Sequence, residues 1–178
     1  MMKRTLLMFS VAVLAFGLVQ YVFSFSTGIA GFSGMNGGNS CNNCHQGGIT
    51  PEVSIVGPQI VQPGDTQMYY LTISGGQEIS GGLNVAVSGG SLLSLSGETQ
   101  LLNSEIAHTA PKSVNQDGEV VFSYAWTAPV ITGTVIMYGA GNSVNGNSSN
   151  SGDAAGLTTL PIVVMELNEK LYLPIIRR

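Results

Sequence analysis

Val120-Val121-Phe122-Ser123-Tyr124-Ala125-Trp126 alternates large and small side chains at a period of two. Successive side chains of a β-strand point to opposite faces, so Val120, Phe122, Tyr124 and Trp126 belong to one face while Ser123 and Ala125 face elsewhere. Similar runs extend outward from it. Glu52 to Val56, Thr66 to Ser74, Leu83 to Val87, Leu92 to Ser96, Glu119 to Trp126, Gly133 to Gly141 and Leu157 to Glu166 are short and rich in Val, Ile, Tyr, Thr and Phe. Gly, Pro, Asn and Asp separate them, and Pro63-Gly64-Asp65, Gly81-Gly82 and Asn115-Gln116-Asp117-Gly118 read as turns. About seven or eight such strands predict an all-β chain folded as an antiparallel sandwich. Tyr69, Tyr70, Tyr124, Tyr138 and Trp126, at strand spacing, read as core or half-core aromatics.

The chain begins Met1-Met2-Lys3-Arg4 and continues as a nearly unbroken apolar run from Thr5 to Phe25. A positive start before an apolar segment directs export. At about twenty residues the segment is long enough to span a bilayer, so it reads as a signal peptide or an N-terminal membrane anchor. Gly28 and Ala30 suit cleavage before Gly31, with Ser24 and Ser26 as weaker options, and cleavage is the preferred reading. Membrane contact is then expected only if that segment stays. Taking away Lys3 and Arg4, two positive charges, carries the formal charge from −4 to −6. No Lys or Arg lies between Thr5 and Pro111, which argues against nucleic acid as a partner. The remaining residues suffice for one domain. The expected organisation is a leader over residues 1–30, a loop segment over 31–50, a sandwich over 51–166 and a tail over 167–178. Leu171 to Arg178 is too short to span a membrane and reads as an apolar tail ending in two solvated arginines.

The chemistry is concentrated in Cys41-Asn42-Asn43-Cys44-His45. Two thiols three positions apart, followed at once by an imidazole, form the attachment signature of a c-type haem. The spacing lets Cys41 and Cys44 add to the two vinyl groups on one porphyrin edge and sets His45 as the proximal axial ligand. These are the only two cysteines, and His45 is one of two histidines. Two other readings compete. A structural zinc would need four ligands and finds only His108 beyond these three, without paired finger spacing. A Cys41–Cys44 disulfide is compatible with export, but an oxidoreductase CxxC belongs at a strand-to-helix junction that this chain does not offer. The Gly28 to Gly48 segment, rich in Gly, Ser and Asn, reads as a loop wrapped around one covalent haem c.

Four stretches in order carry a family resemblance: Gly34 to Gly48 with its CxxCH, Pro63-Gly64 before a Tyr-rich strand, Phe122 to Pro129 with Trp-Thr-Ala-Pro, and Gly139 to Asp153 with Asn-Gly-Asn and Gly-Asp. Together they resemble the choice-of-anchor V family of exported bacterial proteins, which is similar to the Reeler (reelin-type) domain. The resemblance runs from about residue 30 to residue 165. It implies an immunoglobulin-like sandwich on a cell-surface, periplasmic or secreted protein, and says little about the reaction.

The sixth position on the iron has three candidates. His108, in Ala107-His108-Thr109-Ala110-Pro111, is the one other imidazole, and a histidine recurs near this place in the family the chain resembles. Met35 lies in the same segment as the motif and is the rival, since Met68, Met137 and Met165 sit in strands as ordinary core residues. The third candidate is an open or water-bound iron. Lys112 is the only basic side chain of the central body placed to meet a propionate. Gly139 to Asp153 reads as a long loop covering the porphyrin edge. Its Asn145, Asn147 and Asp153 make a poor Ca²⁺ site, with one carboxylate and no bidentate Glu. The expected function is extracytoplasmic one-electron transfer with other redox proteins. The alternatives are a surface adhesion or recognition module with a Cys41–Cys44 disulfide, and a haem sensor or enzyme with an open iron. No catalytic triad, phosphate loop or paired carboxylates point to a further enzymatic site.

Overall fold

The computed structural model describes residues 26–77 and 79–166. The expected leader up to residue 25 and the expected tail from residue 167 lie outside the described residues. The strands are β1 (Gln46–Gly47), β2 (Glu52–Val56), β3 (Ile60–Val61), β4 (Thr66–Ser74), β5 (Ser80–Val87) and β6 (Ser91–Ser94). They continue as β7 (Thr99–Leu102), β8 (Glu105–His108), β9 (Lys112–Ser113), β10 (Glu119–Thr127), β11 (Gly133–Val144) and β12 (Ser151–Val164). The smaller sheet runs β2-β4-β10-β6 and the larger β1-β12-β11-β5-β8-β7, with β3 also on β12 and β9 also on β5. Pairing is antiparallel throughout, apart from the short β1 and β3, which lie parallel to β12. Among the described residues no helix is long and apolar enough to cross a membrane.

The protein is an all-β, immunoglobulin-like sandwich, and the alternation in β10 builds its centre. Val120, Phe122, Tyr124 and Trp126 are at most 2% exposed. They pack with Tyr69, Leu71 and Ile73 of β4 and, from the other sheet, with Leu83, Val85, Met137 and Ile162. Tyr69 stacks on Tyr124 at 6.4 Å and meets Trp126 edge-on at 6.1 Å. Such pairs contribute roughly 0.5–1.5 kcal/mol each beyond the area they bury. The polar tips are satisfied: Tyr69 Oη donates to Pro58 O at 2.7 Å and Trp126 Nε1 to Gly89 O at 2.9 Å. Ala125 faces outward but is buried, because Met68 and Leu93 flank it across the sheet.

Several expectations need correction. Gly81-Gly82 is no turn but lies inside β5, where a Cβ at Gly81 would come within 3.2 Å of Ile73 Cδ1 in the core. The long loop expected from Gly139 to Asp153 shrinks to 145–150, since β11 runs on to Val144 and β12 starts at Ser151. Gly139 and Gly141 point inward there and give the opposite sheet's Ile55, Leu71, Val53 and Ile73 room to approach. Of the three methionines expected in the core only Met137 is buried; Met68 lies on the outer face of β4 and Met165 beyond β12, both exposed. Tyr70 points outward as well, one residue out of phase with Tyr69.

What positions the site is the outer face of the larger sheet. Gly82, Asn142 and Ala155 lie side by side there in register. Residues 26–47 cross this face and are pinned at both ends. Gly31 N donates to Glu105 Oε2 and Phe32 N to Asn84 Oδ1, each at 2.8 Å. Asn42 clasps the backbone of Ala155 with both atoms of its amide, at 2.7 and 2.8 Å.

Candidate functional site

The motif is ordered by a single 3-10 turn, Cys41–Asn43. Ser40 Oγ accepts from Asn42 N and Asn43 Oδ1 accepts from Ser40 N, a reciprocal cap that stops the chain from fraying at its entry. Cys44 N and His45 N both donate to Cys41 O, at 3.1 and 2.9 Å. This wraps residues 41, 44 and 45 round to one side, and all three line one cavity of about 490 Å³ between the crossing segment and the sheet. That volume lies in the usual range for cofactor sites, roughly 300–1,000 Å³.

His108 lines the same cavity. The β5–β8 ladder ends at Asn84–Ala107, and the next position is occupied by a side chain: His108 Nδ1 lies 3.2 Å from Leu83 N and 3.3 Å from Leu83 O. Leu83 N donates to Nδ1 in the Nε2–H tautomer, whereas in the Nδ1–H tautomer the ring donates to Leu83 O and Nε2 carries the free lone pair. Gly82 makes the space, since a Cβ there would fall 2.5 Å from His108 Cε1. Burial pushes the His108 imidazole below its ordinary pKa; the Leu83 hydrogen bond opposes this and nearby His45 adds to it. The neutral ring that results is the form that ligates metals.

In the same cavity wall, His45 Nδ1 lies 2.9 Å from Asp153 Oδ2, and Asp153 is 1% exposed. Asp153 Oδ1 accepts from Asn145 N at 2.9 Å. The 145–150 loop is in turn tied to the motif, Asn150 Nδ2 donating to Cys44 O and Gln46 N to Asn150 O. The Ca²⁺ reading fails here for a physical reason. Asn145 Oδ1 accepts from Asn147 N, Asn147 Oδ1 from Ser149 N, and both Asp153 oxygens are engaged, so the side-chain oxygens serve the loop's own backbone and His45.

Both cysteines are free thiols. The Cys41 thiol is pushed up to about 11, by burial first, its own backbone hydrogen bond opposing and Cys44 adding. A redox-active CxxC depends on a depressed thiol pKa, so this environment does not favour that chemistry. Among the described residues no three His, Cys, Asp or Glu side chains converge on one point. A porphyrin makes a different demand. It needs thiols along one edge and imidazoles at its axial positions, all bordering one cavity, and the donors at hand are of that kind. Asn142 also lines the cavity: it is 6% exposed and its Oδ1 has no hydrogen-bond partner, an acceptor that calls for a donor the porphyrin itself does not carry. A buried polar atom left this way costs about 1–3 kcal/mol, which only a bound group that brings a donor can recover.

Met35 does not line the cavity and is 38% exposed, although it belongs to the crossing segment. Lys112 does not line it either. Its ammonium donates to Glu98 Oε2 at 2.6 Å and Val121 O at 2.8 Å, with the Phe122 ring centroid at 5.5 Å. Asn142 and Gly82 are not legible as site residues, and Asp153 stands out only as a poor Ca²⁺ ligand, because none carries a spacing signal and only the sheet register brings them to the motif. Ser26 and Ile29 also line the cavity, so a cut before Gly31 would remove two of its wall residues.

No family model matches the sequence, and no curated protein matches it. Among solved structures, the PKD domain of an M14-like peptidase from a Thermoplasmatales archaeon is similar over 65% of this chain and 96% of that chain, at 12% identity and a TM-score of 0.38.

Proposed function

We propose that this protein is an exported mono-haem c-type cytochrome that exchanges single electrons with other extracytoplasmic redox proteins. One observation carries the reading: Cys41, Cys44 and His45, set side by side by one turn, share a cavity with the chain's other histidine, His108. A c-type haem bound there would supply a one-electron iron couple, while the protein supplies ligation, burial and access. Cys41 and Cys44 would hold the group covalently, each S–H adding across one vinyl double bond, sulfur to one carbon and proton to the other, with no oxidant consumed. His45 and His108 would hold the iron, in place of the rival Met35, which lies outside the cavity. With two imidazoles to hold the iron, the group would serve as an electron carrier and not as an enzyme's open site. The apolar run from Thr5 to Phe25 supports export, and membership of the choice-of-anchor V family rests on the order of the four short motifs.

The test is expression in a host that exports the chain and attaches haem, followed by intact mass and a pyridine-haemochrome spectrum. The expected product carries one haem, lost when both Cys41 and Cys44 are replaced by Ala. A mass matching only an intramolecular disulfide, without haem absorption, would overturn the reading in favour of a recognition module. Immediate CO binding to the reduced wild-type protein would move it to an open-iron sensor or enzyme.

A further inference from the structure

We infer that Asp153 is a positioning residue for His45, and that its carboxylate fixes the tautomer of the proximal imidazole and lowers the reduction potential of the centre. The inference rests on the cytochrome reading above and assigns a role to a residue outside the CxxCH motif.

The geometry is specific. A carboxylate buried to 1% exposure needs partners for its charge, and Asp153 has one on each oxygen: Asn145 N on Oδ1 and His45 Nδ1 on Oδ2, both at 2.9 Å. An ionised carboxylate only accepts, so the shared proton sits on His45 Nδ1, and Nε2 keeps the lone pair that binds a metal. The backbone enforces the pairing. The two-residue β1 lies parallel to β12 with Gln46 opposite Ser151 and Gly47 opposite Asp153, a register shift falling between them. Gly48 N then donates to Asp153 O at 3.0 Å. The residue after His45 is thereby locked beside the residues leading into Asp153, and this keeps the two side chains within reach of each other.

A carboxylate drawing on the Nδ1 proton makes the imidazole a more basic ligand. A more basic ligand favours the higher charge on iron, so the ferric form gains and the potential falls. Asp153→Asn keeps the size and can still accept from Asn145 N, but it removes the negative charge. The expected result in haem-bearing protein is a shift of the reduction equilibrium toward the ferrous form by about tenfold, the lower end for partners of metal ligands, or about 59 mV upward for a one-electron couple. A purely structural role would change stability and leave the potential in place.

Two measurements keep the outcomes separate. Wild-type protein without covalent haem would sink the cytochrome reading itself, whereas haem-bearing Asp153→Asn with an unmoved potential would overturn only the role of Asp153. A second measurement needs no haem and no change at Asp153. In the Cys41→Ala/Cys44→Ala protein, imidazole ¹⁵N shifts should place His45 in the Nδ1–H tautomer, and an Nε2–H tautomer would overturn the inference whether or not Asp153→Asn accumulates.

Discussion

At Leu83 the backbone of β5 meets a side chain in place of a neighbouring strand, and that exchange gives His108 its position. The ring is held edge-on by Leu83 and fits because residue 82 has no Cβ. Gly82→Ala should therefore displace the imidazole. In haem-free protein the overpacking should cost roughly 1–3 kcal/mol, read by chemical denaturation; in haem-bearing protein it should turn part of the ferric iron high-spin. Unchanged spectra with unchanged stability would show that the ring moves aside freely. The ligand assignment itself is tested by two replacements. His108→Ala should convert the low-spin spectrum to high-spin and admit CO, while Met35→Ala should leave it unaltered, because Met35 lies outside the cavity. Loss of the low-spin spectrum on Met35→Ala alone would reverse the assignment. Cys41, Cys44 and His45 are legible from spacing because their chemistry is local. Gly82 is not, since a Gly-Gly pair in sequence looks the same whether it turns the chain or clears space for a ring.

The short turn Cys41–Asn43 is too small to hold itself, and Asn42 anchors it to β12 through two hydrogen bonds across 113 positions of sequence. Asn42→Ala leaves Ala155 N and Ala155 O without these partners, at a cost of about 1–3 kcal/mol. The expected outcome is a lower urea midpoint, faster proteolysis within residues 26–47 and less haem attached per chain. A variant with normal midpoint and full haem content would show that the segment is held without Asn42. Legibility among the elements follows the same division between local and remote causes. β2 and β4 stand out because one face is buried, so hydrophobicity alternates. The β7–β8 hairpin does not, since its turn uses Asn103 and Ser104 at φ of 49° and 69°, and Ser is no signal for a left-handed backbone. The extension of β11 to Val144 is hidden for another reason: Gly, Ala, Asn and Ser there look like loop composition. Their small size answers to the opposite sheet on one face and to residues 26–47 on the other.

At the scale of the whole molecule the core and the site are separate, with the aromatic cluster between the sheets and the cavity outside the larger one. That separation allows the core to be probed without touching the site. Tyr69 and Tyr124 are both 0% exposed. Burial lifts the Tyr69 phenol to about 12 and the Tyr124 phenol further, with Tyr69 as the second cause for the latter. In the unfolded chain a phenol ionises near ~10. Each folded-state value is raised, so the folded state resists ionisation that the unfolded state accepts. The stability from these two groups is therefore whole below about pH 10 and falls as pH rises toward the folded values. Urea midpoints should be level near neutrality and decline between about pH 10 and about pH 12, with buried tyrosinate absorbance appearing together with unfolding. Tyr69→Phe removes the donor to Pro58 O and should cost about 1 kcal/mol at neutral pH, while making the alkaline decline shallower. A midpoint that stays level through this window, or tyrosinate absorbance from Tyr69 in fully folded protein, would show that the phenol is not sealed in the core.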